Sequence, residues 1–109
     1  MTMKLPPAIA GYFAADRDRD AASLSRQFTE HAVVHDEGKL HTGREAIQSW
    51  IGQSWTQYGA KAEPFAIAQR GLTTVVTSHV EGSFPGSPID LRFHFVLEDD
   101  LIAKLEVTP

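Results

Sequence analysis

Cysteine is absent from all 109 residues, which excludes disulfides, thiolate nucleophiles and thiolate-bound zinc or iron–sulfur centres. Basic charge is scarce. Ten Lys and Arg stand against fourteen Asp and Glu, for a net charge of −4, and the ten are nowhere clustered. Tracking phosphates takes a basic stripe, so nucleic acid is not an expected partner. No stretch approaches the roughly 20 apolar residues of a membrane span, and residues 1–7 carry no apolar run of signal-peptide length. With the reducing compartment that the lack of cysteine favours, this predicts a cytoplasmic protein with no membrane partner. Also missing are a Gly-rich phosphate loop before a helix, a nucleophile elbow, an HExxH pattern and a Ser–His triad order. The hydrolase and nucleotide-binding classes drop out with them. His31 and His35 lie four apart but straddle a change from helix to strand, so they do not share a helical face as zinc-binding pairs do. Neither a metal nor a cofactor is expected.

What is present is a chain with 42% hydrophobic and 22% charged residues, which predicts one globular domain over residues 1–109 with one core and at most one site. Pro6 and Pro7 suit the first turn of a helix, and Leu5, Ile9, Tyr12 and Phe13 recur at spacings of three and four. That places Tyr12 on the buried side of a first helix. After the polar run from Asp16 to Asp20, an aspartate caps a second, shorter helix whose Ala21, Leu24 and Phe28 share a face. Residues 32–37 read as a short strand ended by Gly38-Lys39. Its period of two puts Ala32, Val34 and Asp36 on one face and His35 on the other.

Thr42-Gly43-Arg44-Glu45 reads as a capping box, in which Thr42 and Glu45 satisfy each other's orphan backbone donors. Ile47, Trp50, Ile51, Ser54, Trp55 and Tyr58 follow at helical spacing, and Gly59 supplies a left-handed stop. From Lys61 onward the pattern is that of strands: around residues 65–68, with Pro64 marking an edge or bulge, then 72–83, 89–97 and 101–107. Ile89, Leu91, Phe93, Phe95 and Leu97 form one face of the third of these, and Asp90, Arg92 and His94 the other. The order helix, helix, strand, helix, then four strands predicts an α+β fold: a cone-shaped α+β barrel, with three helices packed on a curved, mostly antiparallel sheet.

The stretch GYFAADRDRDAASLSRQFTEHAVVHDEGKLHTGREAIQSW resembles the N-terminal half of the nuclear transport factor 2-like superfamily, in its SnoaL-like and ketosteroid-isomerase-like branch. The likeness lies in an aromatic helix, a short helix ending in Phe, a strand ending in Asp, a Gly, and a Gly-x-x-Ala-Ile helix. FHFVLEDDLIAKLEV resembles the closing hairpin. The resemblance implies an apolar pocket for a small hydrophobic molecule and a homodimer paired through the outer sheet face. In the isomerase branch a helix-one tyrosine precedes a carboxylate base by 24 positions, the separation of Tyr12 and Asp36. By that match Asp36 is the candidate base and Tyr12 the candidate donor to an enolate oxygen.

The branch's second oxyanion donor, an aspartic acid just before a His-Phe pair, corresponds here to Phe93. His79 is the leading substitute. Carrying the alignment through the preceding hairpin puts Val75, Thr77, His79 and Glu81 on the pocket side. The implied pocket wall comprises Val34, Trp50, Ile51, Trp55, Val75, Thr77, Phe93 and Phe95. Each residue also has a plainer reading: Asp36 as a turn former beside Gly38, Tyr12 and the tryptophans as core aromatics, His79 as a strand histidine with its bonds satisfied. Three functions stay open: an isomerase, cyclase or dehydratase working by general acid–base chemistry on an apolar carbonyl compound; a noncatalytic binder of a hydrophobic molecule; and a dimerising scaffold whose cone is filled by its own aromatics.

Overall fold

The computed structural model describes residues 4–109, so residues 1–3 of the N-terminal segment read above lie outside the described residues. Helix α1 (Pro7–Asp18) begins on Pro7, where a missing N–H costs nothing, and buries Ile9, Tyr12, Phe13 and Asp16 on one side. Asp20 caps α2 (Ala21–Ser25), its carboxylate accepting from the Ser23 backbone N–H at 3.0 Å. This helix stops short of Phe28, contrary to the expected shared face. Phe28 instead opens strand β1 (Phe28–Asp36), its backbone in register with Ile102.

A further strand, unanticipated from the sequence, follows: β2 (Lys39–Thr42) folds back on β1 through Glu37 and Gly38. Both turn residues have positive φ, 53° and 75°, as a two-residue turn matched to strand twist requires. Because Thr42 belongs to β2 and pairs with Val33, the expected capping box does not form. The N-cap of α3 (Arg44–Tyr58) is Gly43, with no side-chain cap, and the helix ends on Gly59 in the left-handed region as predicted. Strands β3 (Lys61–Arg70), β4 (Thr73–Glu81), β5 (Ile89–Glu98) and β6 (Leu101–Thr108) complete the chain.

The six strands form one sheet in the order β2-β1-β6-β5-β4-β3, antiparallel throughout except where β1 meets β6. Pro64 lies on the edge strand β3 where the register slips, a place that needs no donor from it. The three helices pack on this sheet to make the cone-shaped α+β barrel. At its base Tyr12 meets Phe13, Phe95, Phe28 and Phe93 edge-on at centroid distances of 5.0, 5.6, 6.0 and 6.2 Å, the arrangement aromatic quadrupoles favour.

The pairing of β4 with β5 corrects one expectation. Val76 lies opposite Phe93, Ser78 opposite Leu91 and Val80 opposite Ile89, while His79 lies opposite Asp90. Directly opposed residues share a face, so Val76, Ser78 and Val80 point into the cone with Phe93. Val75, Thr77, His79 and Glu81 therefore point out, the reverse of the facing implied by the alignment through the hairpin.

Candidate functional site

A cavity of about 560 Å³ opens above the aromatic base. Tyr12 and Asp16 of α1 form one wall, and Trp50, Ile51, Ser54, Trp55 and Tyr58 of α3 another. The sheet side is Ala62, Val80, Ile89, Leu91, Phe93 and Val107, the β4–β5 loop adds Phe84 and Pro85, and Asp36, Glu37 and Gly38 stand at the β1–β2 turn. Trp50 and Trp55 are wall rather than filling, and they leave the cone open.

Each tryptophan fixes a carboxylate. The Trp50 indole N–H donates to Asp36 Oδ2 at 3.1 Å, and Asp36 Oδ1 has no partner among the described residues. The Trp55 indole N–H donates to Asp16 Oδ1 at 2.8 Å, while the Ala62 backbone N–H donates to Asp16 Oδ2 at 3.3 Å. Asp16 is 5% exposed. Burial pushes its carboxyl above the usual carboxylate range, against the opposing pull of these two donors and of Arg19 and Arg17. Arg19 is held outside the cavity wall, donating to the Ala60 and Gly59 carbonyls at 2.6 and 3.0 Å and lying 5.3 Å from the centre of the Trp55 ring.

Tyr12 is 2% exposed, and its hydroxyl has no hydrogen-bond partner among the described residues although it borders the cavity. Burial first, then the charges of Asp16 and Asp36, raise its hydroxyl well above the ordinary tyrosine value. It therefore stays protonated, with an O–H that is chemically able to donate a hydrogen bond. Among the described residues, no three His, Asp or Glu are grouped so as to hold a metal ion.

The cavity thus brings together Tyr12, Asp36, Trp50, Ile51, Trp55 and Phe93 of the residues predicted from sequence. Val34 and Phe95 are fully buried but sit in the core behind the wall. Val75 and Thr77 lie on the opposite face of the sheet, as does His79. His79 bonds through Nδ1 to Asp90 at 3.1 Å and through Nε2 to Glu81 at 2.9 Å, and these two carboxylates raise its imidazole above the ordinary value. It cannot replace the second oxyanion donor. His35 and His94 point outward as expected, against Glu106 at 3.2 Å and Thr108 at 2.9 Å.

Sequence reasoning missed Asp16. The signal was present, since four residues separate Asp16 from Tyr12 and so place it on the apolar face of α1. The alternating charges that follow it made the segment read as a polar run between two helices.

Residues 9–105 match the SnoaL-like domain family. A candidate polyketide cyclase from Sinorhizobium meliloti is 38% identical over 95% of both chains, with a TM-score of 0.91. SalBIII, an epoxide hydrolase/cyclase-like enzyme of pyran ring formation in the polyether salinomycin, is 24% identical over 94% of this chain and 87% of its own, with a TM-score of 0.77. A protein of ketosteroid isomerase-like fold from Catenulispora acidiphila, in complex with trimethylamine, is 16% identical over 97% of this chain and 87% of its own, with a TM-score of 0.84. The last two share the fold alone. No curated protein matches the sequence. The match over residues 9–105, the cone and its pocket agree: the chain belongs to the SnoaL-like family of the nuclear transport factor 2-like superfamily.

Proposed function

We propose that this protein is a small pocket enzyme that moves a proton on an apolar carbonyl compound, in the manner of an isomerase, cyclase or dehydratase. One observation carries the reading: a tryptophan-fixed carboxylate with a free oxygen, Asp36, and a buried, unpartnered phenol, Tyr12, border the same largely apolar cavity. Asp36 Oδ1 takes a proton from the carbon next to the carbonyl. The C–H electrons pass to the carbonyl oxygen, and Tyr12 donates a hydrogen bond to the enolate that forms. Returning the proton from Asp36 to another carbon of the enolate completes an isomerisation. Trp50 keeps the carboxylate oriented throughout, so its lone pair is aimed before the substrate arrives.

The noncatalytic binding reading is favoured by one feature: Phe93 lines the cavity and supplies no second donor to an oxyanion. The two readings part on Asp36→Asn. Wild-type protein is offered β,γ-unsaturated ketones from a ketosteroid down to a single ring, with turnover and α-carbon deuterium exchange measured. Loss of turnover by about a hundred-fold or more with ligand affinity retained is the expected result. Wild-type protein that binds these ketones but neither turns them over nor exchanges their α-protons would leave the binder reading in its place.

A further inference from the structure

The charges around the cavity are all of one sign. Asp16, Asp36 and Glu37 border it, and no Lys, Arg or His does so among the described residues. Arg19, 4.0 Å from Asp16, lies outside the wall on two backbone carbonyls and the Trp55 ring, so it offsets part of the Asp16 charge without reaching the cavity, and Asp36 and Glu37 have no ion-pair partner among the described residues. An apolar cleft with carboxylates along its wall focuses a negative potential onto whatever enters, because the low-dielectric walls screen it poorly. Aromatic walls do not oppose a cation, since the ring faces are themselves the negative part of their quadrupole. A second observation points to a polar group in the ligand. The Tyr12 hydroxyl, on a side chain only 2% exposed, borders the cavity without a partner among the described residues.

From these features we infer that the cavity selects its ligand by charge, taking an apolar molecule that bears a protonated amine in preference to its neutral or anionic counterpart. Asp16 contributes chiefly through the field. Its oxygens already accept from Trp55 and Ala62, whereas Asp36 Oδ1 is free to meet the ligand directly. An anionic ligand would meet three carboxylates and, among the described residues, no cation on the cavity wall. The inference rests on this cavity being the ligand site and not on whether Asp36 moves a proton.

Three probes of matched shape test it: naphthylmethyl-dimethylamine, acetonaphthone and naphthoate, titrated into the intact protein by NMR. The two tryptophans both line the cavity, so their indole N–H resonances, assigned with Trp50→Phe and Trp55→Phe, report binding at this site alone. The amine is expected to bind at least about ten-fold tighter than the ketone, with the carboxylate weakest of the three, and the amine preference is expected to shrink in Asp36→Asn and Asp16→Asn and at high salt. If Asp16→Asn fails to fold, Asp36→Asn decides alone. Ketone binding as tight as amine binding, or an amine preference unmoved by the folded variants, overturns the inference and leaves the cavity as a ligand site. Silence of both indole resonances toward all three probes overturns the inference together with the ligand-pocket reading.

Discussion

Asp16 shows how much one side chain can hold. Its two oxygens receive an N–H from α3 and another from β3, so a single carboxylate joins three elements at the cavity wall. Asparagine has one acceptor oxygen where aspartate has two. Asp16→Asn therefore turns an amide N–H₂ toward either Trp55 or Ala62, and the loss should be about 1–3 kcal/mol in denaturant unfolding near neutral pH. The sign of its pH dependence follows from the direction of the shift. A carboxyl raised in the folded state contributes stability that is complete below the ordinary carboxylate value and is lost as pH rises through the folded-state value. The variant lacks this titration, so the gap between wild type and Asp16→Asn should be wider in acid than near neutral pH. A gap that narrows in acid would show that the carboxyl is not raised.

Among the elements, α3 is held at both ends by backbone rather than by caps. Gly43 starts it at a φ of 89°, Gly59 stops it at 58°, and beyond the stop Ser83 N–H donates to the Tyr58 carbonyl at 2.7 Å. Gly82 makes this closure possible: a Cβ there would lie 2.8 Å from the Tyr58 carbonyl oxygen and 3.0 Å from the Ala60 Cα. Both neighbours are backbone and cannot swing aside. Gly82→Ala is therefore expected to cost about 1–3 kcal/mol, read from its thermal unfolding midpoint, and to disturb Tyr58 and Phe84 at the cavity mouth. An unchanged midpoint would mean that the loop moves freely with respect to α3. The contrast with Thr42 is instructive. Its capping-box signature was correct local chemistry, but pairing with Val33 claimed the residue for β2 first.

For the whole molecule, the outer face of the sheet raises the question of assembly. Ala66 and Ala68 on β3 lie beside Thr77 and Val75 on β4, a small-residue patch of low charge, and the exposed Phe65 lies next to it in sequence. We propose that this face joins two copies of the chain. Light scattering should then give twice the chain mass of 12.0 kDa, and Val75→Arg should halve it. A wild-type mass of one chain would overturn the proposal. No helix among the described residues is long and apolar enough to cross a membrane.

Local periodicity was enough for some of this. Spacings of three and four put Tyr12, Trp50, Ile51 and Trp55 on inward faces, and alternation put Phe93 inward and His35 outward, because a regular helix or strand cannot present those side chains otherwise. The element order added the cone, and the family resemblance the pocket within it and the pairing of Tyr12 with Asp36. Other outcomes depended on contacts distant in the chain. Whether Val75, Thr77 and His79 faced in or out turned on how the seven-residue connection over residues 82–88 set β4 against β5, and a shift of one residue reverses every side chain on the strand. Whether Val34 and Phe95 lined the cavity or lay behind it turned on which neighbours stood in front of them. Asp16 became a buried carboxylate only when Trp55 and Ala62, 39 and 46 positions away, closed over it. Neighbours a few residues apart were enough for the three helices, for five of the six strands and for the inward faces of α1, α3 and β5, because local periodicity governs those; β2, the facing of β4 and the set of polar groups that share one cavity came from chain segments that meet only in the fold, where pairing and burial are set.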